Sequence, residues 1–143
     1  MKSVAIKNLA DLENWAINFY HTFGKQRVWC FDAQMGAGKT TFLQAVAKHL
    51  QVKETVQSPT FSICNVYNSD SVGEIYHYDF YRIKNIHEAM DMGFLEQLDS
   101  GNYCWIEWAT AVEKLLPPDA LHIKIEVLEN GTRIFTIKNY TTT

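Results

Sequence analysis

The chain has 143 residues, 47% apolar and 20% charged, the composition of one globular domain, and a domain of this size buries roughly two thirds of its unfolded surface without a disulfide or metal staple. Its 13 Lys and Arg against 16 Asp and Glu leave a net charge of −3, which argues against a broad basic field that grips nucleic acid unaided. No uncharged apolar run approaches the ~18 residues of a membrane helix, and Lys2, Lys7, Asp11 and Glu13 interrupt the apolar positions before Trp15, so neither a secretory signal nor a membrane span is expected.

Leu12, Trp15, Ala16 and Phe19 recur at helical spacing and Gly24 supplies a stop, so an amphipathic helix precedes the first core strand. A compact strand is expected over 27–32, then a glycine-bearing turn, then a helix over 40–50 that places Phe42, Leu43, Val46, Ala47 and Leu50 on one face. Segments 61–67 and 74–79 are rich in β-branched and aromatic residues and read as strands either side of a turn-rich break. Helical spacing runs over 87–98, Ser100-Gly101-Asn102 breaks it, and 103–108 reads as a buried strand. A short helix from Ala109 is ended by Pro117-Pro118. Leu121, Ile123, Ile125 and Val127 alternate, Asn130-Gly131 suits a tight turn, and 132–138 returns as the second arm of a β-hairpin. The final three threonines read as a frayed tail.

Cys30, Cys64 and Cys104 are odd in number and follow no metal-ligand spacing. They read as small apolar residues of a reduced, intracellular chain. No repeat or linker divides the sequence, so residues 1–143 are read as a single domain, and the alternation of strands and helices gives an α/β layered fold.

The chemistry concentrates in Ala33-Gln34-Met35-Gly36-Ala37-Gly38-Lys39-Thr40, the second half of a phosphate-binding loop placed between a strand and a helix. Glycines let backbone N–H groups close on phosphate oxygens, the lysine meets the β- and γ-phosphates, and the threonine hydroxyl ligates Mg²⁺ at the positive end of the helix. Gly36, Ala37, Gly38, Lys39, Thr40 and Thr41 are the expected nucleotide contacts. Ala33 stands where the loop pattern begins with glycine; if that position needs positive φ, its Cβ costs about 1 kcal/mol.

Such a loop needs an acid at the end of a neighbouring strand to hold Mg²⁺ or polarise water. Asp79 and Glu107 both qualify, and spacing alone does not divide the roles between them.

Four segments in order, Met35-Gly36-Ala37-Gly38-Lys39-Thr40-Thr41-Phe42, Ser58-Pro59-Thr60-Phe61, His77-Tyr78-Asp79-Phe80-Tyr81-Arg82-Ile83 and Ile106-Glu107-Trp108, resemble the ATPase family of tRNA threonylcarbamoyladenosine biosynthesis, TsaE. The resemblance implies a P-loop NTPase-like three-layer fold with a mixed, largely parallel sheet. It implies ATP and Mg²⁺ as cofactors, with Thr40 and Glu107 as metal ligands and Lys39, Asp79 and Glu107 in the catalytic set. Asp79 takes the catalytic or switch role, and Ser58 and Thr60 belong to a switch loop near the γ-phosphate, although the same hydroxyls suit a turn before a strand.

His77 reads as a hydrogen-bonded packing residue; Arg82 either pairs with Asp79 or neutralises phosphate charge; Trp108 either shields the site, docks a partner or is buried. The family's usual Pro-Glu after Glu-Trp is here Ala109-Thr110. The implied role is a cytoplasmic, partner-stimulated ATPase acting with a TsaD-like threonylcarbamoyl transferase and a TsaB-like subunit, reaching tRNA through that complex and no membrane. The rivals are a small-molecule P-loop kinase, which needs an acceptor pocket and an arginine-bearing lid, and a non-catalytic nucleotide-binding interaction module.

Overall fold

A computed structural model describes residues 2–34, 36–60 and 62–139. The expected frayed tail at 141–143, Met35 of the loop and the expected strand start at Phe61 lie outside them.

The elements in chain order are β1 Lys2–Ile6, α1 Leu9–Phe23, β2 Val28–Ala33, α2 Lys39–His49, β3 Cys64–Ser69, β4 Gly73–Asp79, α3 Ile86–Asp91, α4 Phe94–Asp99, β5 Tyr103–Glu107, a 3₁₀ helix Ala109–Leu115, β6 Leu121–Val127 and β7 Arg133–Asn139. One seven-stranded sheet runs β1-β7-β6-β2-β5-β4-β3. Its centre, β6-β2-β5-β4, is parallel, and antiparallel strands close both sides. The architecture is therefore the expected α/β fold, and β6 and β7 are the expected C-terminal hairpin.

The central strands are apolar on both faces because helices cover both. Trp29 and Phe31 of β2, Trp105 of β5 and Ile75 of β4 meet α1 and α2, whereas Val28, Cys30, Cys104 and Ile106 meet α3, α4 and the 3₁₀ helix. Asn8 starts α1 by accepting the Asp11 N–H at 2.8 Å. The Phe19 ring then sits 5.0 Å from that of Trp29 and 5.3 Å from that of Phe42, both edge-on. Truncating a ring in such a packed cluster costs about 3–5 kcal/mol.

Three expectations change. The helical spacing over 87–98 resolves into two helices, because Gly93 takes φ +83 between them and ends the first. The strand expected to reach 108 stops at Glu107, since Trp108 turns out of it at φ +57. Strand β1 has no counterpart in the sequence reading; it is an edge strand whose Val4 and Ile6 face the core only once β7 lies beside it.

Ala33 closes β2 and pairs with Ile125, and it is not among the positive-φ residues, so the expected Cβ penalty does not arise. No helix among the described residues is long and apolar enough to cross a membrane.

Candidate nucleotide-phosphate site

Strand β2 delivers the glycine turn to the start of α2, as the motif requires. Gly36 and Gly38 have φ +79 and +92, and no atom lies within 4 Å of where a Cβ on Gly36 would stand. That conformation opens the loop backbone to a ligand at a cost only glycine escapes. The Gly38 carbonyl accepts the Phe42 N–H at 2.9 Å, which starts α2 with its free amides facing the loop. Lys39, Thr40 and Thr41 form the first turn.

The parallel register sets Phe31 of β2 beside Glu107 of β5, and Glu107 beside Asp79 of β4, so both expected acids reach the same edge of the sheet as the loop. Their surroundings differ. Glu107 is 4% exposed; its Oε1 is ion-paired with Lys39 Nζ, and its Oε2 accepts from His77 Nε2 at 2.6 Å. Burial pushes the Glu107 carboxyl up, yet the hydrogen bonds and charges of His77 and Lys39 together outweigh it and hold it at about 2. Asp79 is half-buried and accepts the Tyr81 N–H at 2.9 Å, closing its own turn.

His77 is fully buried and hydrogen-bonded at both ring nitrogens, the packing role expected of it. Arg82 forms no ion pair with Asp79 among the described residues. Trp108 is 53% exposed, its ring 4.8 Å from that of Tyr81, itself 65% exposed; the two aromatics stand at the rim of the site. Neither the Ser58 nor the Thr60 hydroxyl caps a turn among the described residues.

Two residues escaped sequence reasoning. The Arg133 side chain lies across the loop: a Cβ on Gly38 would come within 2.6 Å of its Nε, and that buried nitrogen has no hydrogen-bond partner among the described residues. Tyr67 of β3 reaches His77 Nδ1 at 2.8 Å. Only the folded sheet brings Arg133 to the loop and Tyr67 to His77, so no local pattern signals them.

These features fit a bound polyphosphate with Mg²⁺. Among the described residues Arg133 Nε is a donor lacking an acceptor, and the glycines leave the backbone approachable. Thr40 and Glu107 provide a hydroxyl and one carboxylate, and no group of three His, Cys, Asp or Glu side chains among the described residues forms a metal cage. A magnesium ion at a site with so few protein oxygens would need phosphate and water to complete its shell. A cavity of about 460 Å³ opens beside Lys39 and Glu107, between Trp108 and Glu113 on one side and Lys124 on the other.

Residues 6–135 match the family model described as threonylcarbamoyl adenosine biosynthesis protein TsaE. The chain belongs to the TsaE family. It is 35% identical to the TsaE protein of Rickettsia typhi over 129 residues, 90% of this chain and 88% of that one. Against the TsaE protein of Aquifex aeolicus the identity is 33% over 135 residues, covering 93% and 92% of the two chains. The crystal structure of Bacillus subtilis YdiB superposes with a TM-score of 0.73 at 28% identity, over 97% of this chain and 85% of that one. The TsaE match takes in the loop, both strand-end acids, His77 and Arg133.

Proposed function

We propose that this chain is the ATP-binding and ATP-hydrolysing subunit of tRNA threonylcarbamoyladenosine biosynthesis. Its membership of the TsaE family supports the pathway. The observation that carries the activity is the ion pair of Lys39 with Glu107 beside two positive-φ glycines. A lysine at the start of a helix, held against an acid at the end of the adjacent parallel strand, is the arrangement that meets a polyphosphate in P-loop NTPases.

Thr40 and Glu107 would hold Mg²⁺, which when bound spreads the negative charge of the phosphate oxygens over a cation. For Lys39 to serve the phosphates its ammonium exchanges the Glu107 carboxylate for phosphate oxygens, and Glu107 is thereby freed to act as a ligand. The amides of Gly38 to Thr40 and the α2 dipole supply further positive charge. Asp79 keeps one oxygen on the Tyr81 N–H and has the other for a water or a switch contact.

The one sheet built by the described residues supports reading 1–143 as a single ATPase domain. Net charge of −3 favours action through protein partners, a TsaD-like transferase and a TsaB-like subunit in the cytoplasm, over direct capture of tRNA.

The test is Mg²⁺-dependent ADP release by the chain alone, with those two partners, and with candidate metabolites. Slow release alone and stimulated release with partners is expected. A metabolite kinase has one point in its favour, the cavity beside Lys39, and acceptor-dependent ADP release would establish it instead. A chain that binds nucleotide yet releases no ADP under any of these conditions would leave the non-catalytic nucleotide-binding module, and one that binds no nucleotide at millimolar concentration would sink the reading.

A further inference from the structure

A chain of hydrogen bonds, buried from Glu107 through His77 to Tyr67 and ending at exposed Gln57, leads away from Glu107. His77 Nε2–H donates to Glu107 Oε2 at 2.6 Å. On the other side of the ring the Tyr67 hydroxyl lies 2.8 Å from Nδ1. The same hydroxyl donates to the Gln57 carbonyl at 2.8 Å and accepts the Gln57 N–H at 3.2 Å. Gln57 precedes Ser58-Pro59-Thr60, the segment read as a switch loop.

The hydroxyl thus holds Gln57 by both its carbonyl and its N–H, with Asn65 Nδ2–H a further donor to Gln57 O at 3.1 Å, and His77 holds the hydroxyl in place from the other side. If the ring loosens from Glu107, Tyr67 loses that anchor and its grip on Gln57 weakens. His77 is 0% and Tyr67 2% exposed, so water does not relieve a broken link between the two. The other fastening of the segment, Gln44 Nε2–H to Val56 O at 2.9 Å, comes from α2, the helix that begins at Lys39.

We propose that His77 and Tyr67 are positioning residues that couple the partner held by Glu107 to the conformation of the 57–60 loop. Their use in turnover rests on the nucleotide reading given above; the coupling itself belongs to the ligand-free protein. Exchange of Glu107 from Lys39 to a metal alters the bond to His77, and that change reaches the loop through Tyr67.

The experiment is residue-resolved amide hydrogen exchange on the full ligand-free chain. Tyr67→Phe keeps the ring and removes the acceptor of the Gln57 N–H, so exchange there rises about tenfold, the size of one net hydrogen bond. Glu107→Gln and His77→Gln, which touch Gln57 nowhere, raise the same exchange several-fold and leave the Ile106 amide in the sheet unchanged. Should Glu107→Gln leave Gln57 at the wild-type rate, or raise all amides alike, the coupling is overturned. Calorimetry with MgADP runs beside it: absence of binding would overturn the nucleotide reading while the exchange result stands. Where MgADP binds, it shifts Gln57 and Ser58 exchange in the wild type but not in Tyr67→Phe; equal shifts in both reject the relay.

Discussion

Asp79 and Glu107 stand directly opposite each other on neighbouring parallel strands, yet only Glu107 is engaged by the loop lysine. One register step places both at the sheet edge; the difference comes from what packs above them. Glu107 lies between Lys39 and His77, while Asp79 turns to its own Tyr81 N–H. Glu107→Gln is therefore expected to lower partner-stimulated turnover by at least ~10²-fold, about 3 kcal/mol, because an amide is a poorer ligand for a hard cation. Asp79→Asn is expected to cost turnover with less change in Mg²⁺ requirement. An unaltered Mg²⁺ requirement in Glu107→Gln with a shifted one in Asp79→Asn would exchange the two roles.

Lys39→Ala is expected to bring ATP turnover below detection with the fold retained. The ammonium is partly exposed at the helix start, 20% for its side chain, and packs no core. Its loss leaves Glu107 hydrogen-bonded to His77, so a melting shift of no more than about 5 °C is expected. Wild-type turnover in folded Lys39→Ala protein would reject the site.

Local pattern made much of this legible. The loop, α2 and the two strand-end acids follow from spacing because each is a contiguous run with its own period or turn chemistry. Apolar spacing continues on both sides of Gly93, with Ala89 and Phe94 in one cluster with Tyr78 and Phe80, so 87–98 reads as one helical stretch although the Gly93 φ of +83 parts α3 from α4. Strand β1 is short and amphipathic only relative to β7. The Glu107 contacts with Lys39 and His77 join residues from different strands and a helix, and no single-chain period encodes such a meeting. The same holds for Arg133, which reaches Gly38 only after the hairpin closes beside β1.

At Ala33 the sequence pattern suggested a defect and the strand removes it. The residue belongs to the β2–β6 ladder, opposite Ile125, and its φ is not positive. Ala33→Gly is thus expected to leave nucleotide affinity within about threefold while lowering stability by about 0.5–1 kcal/mol through added backbone freedom. Calorimetry and urea midpoints check the two parts; a tenfold gain in affinity would restore the strain argument.

The cysteines should be inert in the folded chain. Burial pushes the Cys30 and Cys104 thiols up to about 12, with a smaller push from each thiol's neighbouring cysteine, Cys104 for Cys30 and Cys64 for Cys104. Burial likewise raises Cys64, to about 11. A thiol whose folded value is raised favours the folded state below its unfolded value, near 8.5, and that stability is lost as pH climbs through the folded values. Iodoacetamide at pH 8 is expected to label these thiols at least ~10²-fold slower in the native protein than in urea. Native labelling of Cys30 at the unfolded rate would contradict the burial argument.

Arg133 offers the last test, because it separates phosphate recognition from the ion pair at Glu107. Its Nε is buried without a partner among the described residues, and its guanidinium lies over Gly38 at the start of α2. An unsatisfied buried donor costs about 1–3 kcal/mol, a cost that an anionic ligand at the loop would relieve with a charge-assisted bond. Arg133→Met keeps the stem and removes the donor, so it is expected to raise or preserve stability of the ligand-free chain while weakening ATP affinity about tenfold. Arg133→Lys restores charge but not the planar fork and should recover only part of that affinity. Gly38→Ala attacks the same contact from the other side: its Cβ would meet Nε at 2.6 Å with φ at +92, so loss of nucleotide binding is expected even where the chain folds. If Arg133→Met binds ATP as tightly as the wild type, the guanidinium only packs on the loop, and the buried nitrogen is no part of the phosphate site.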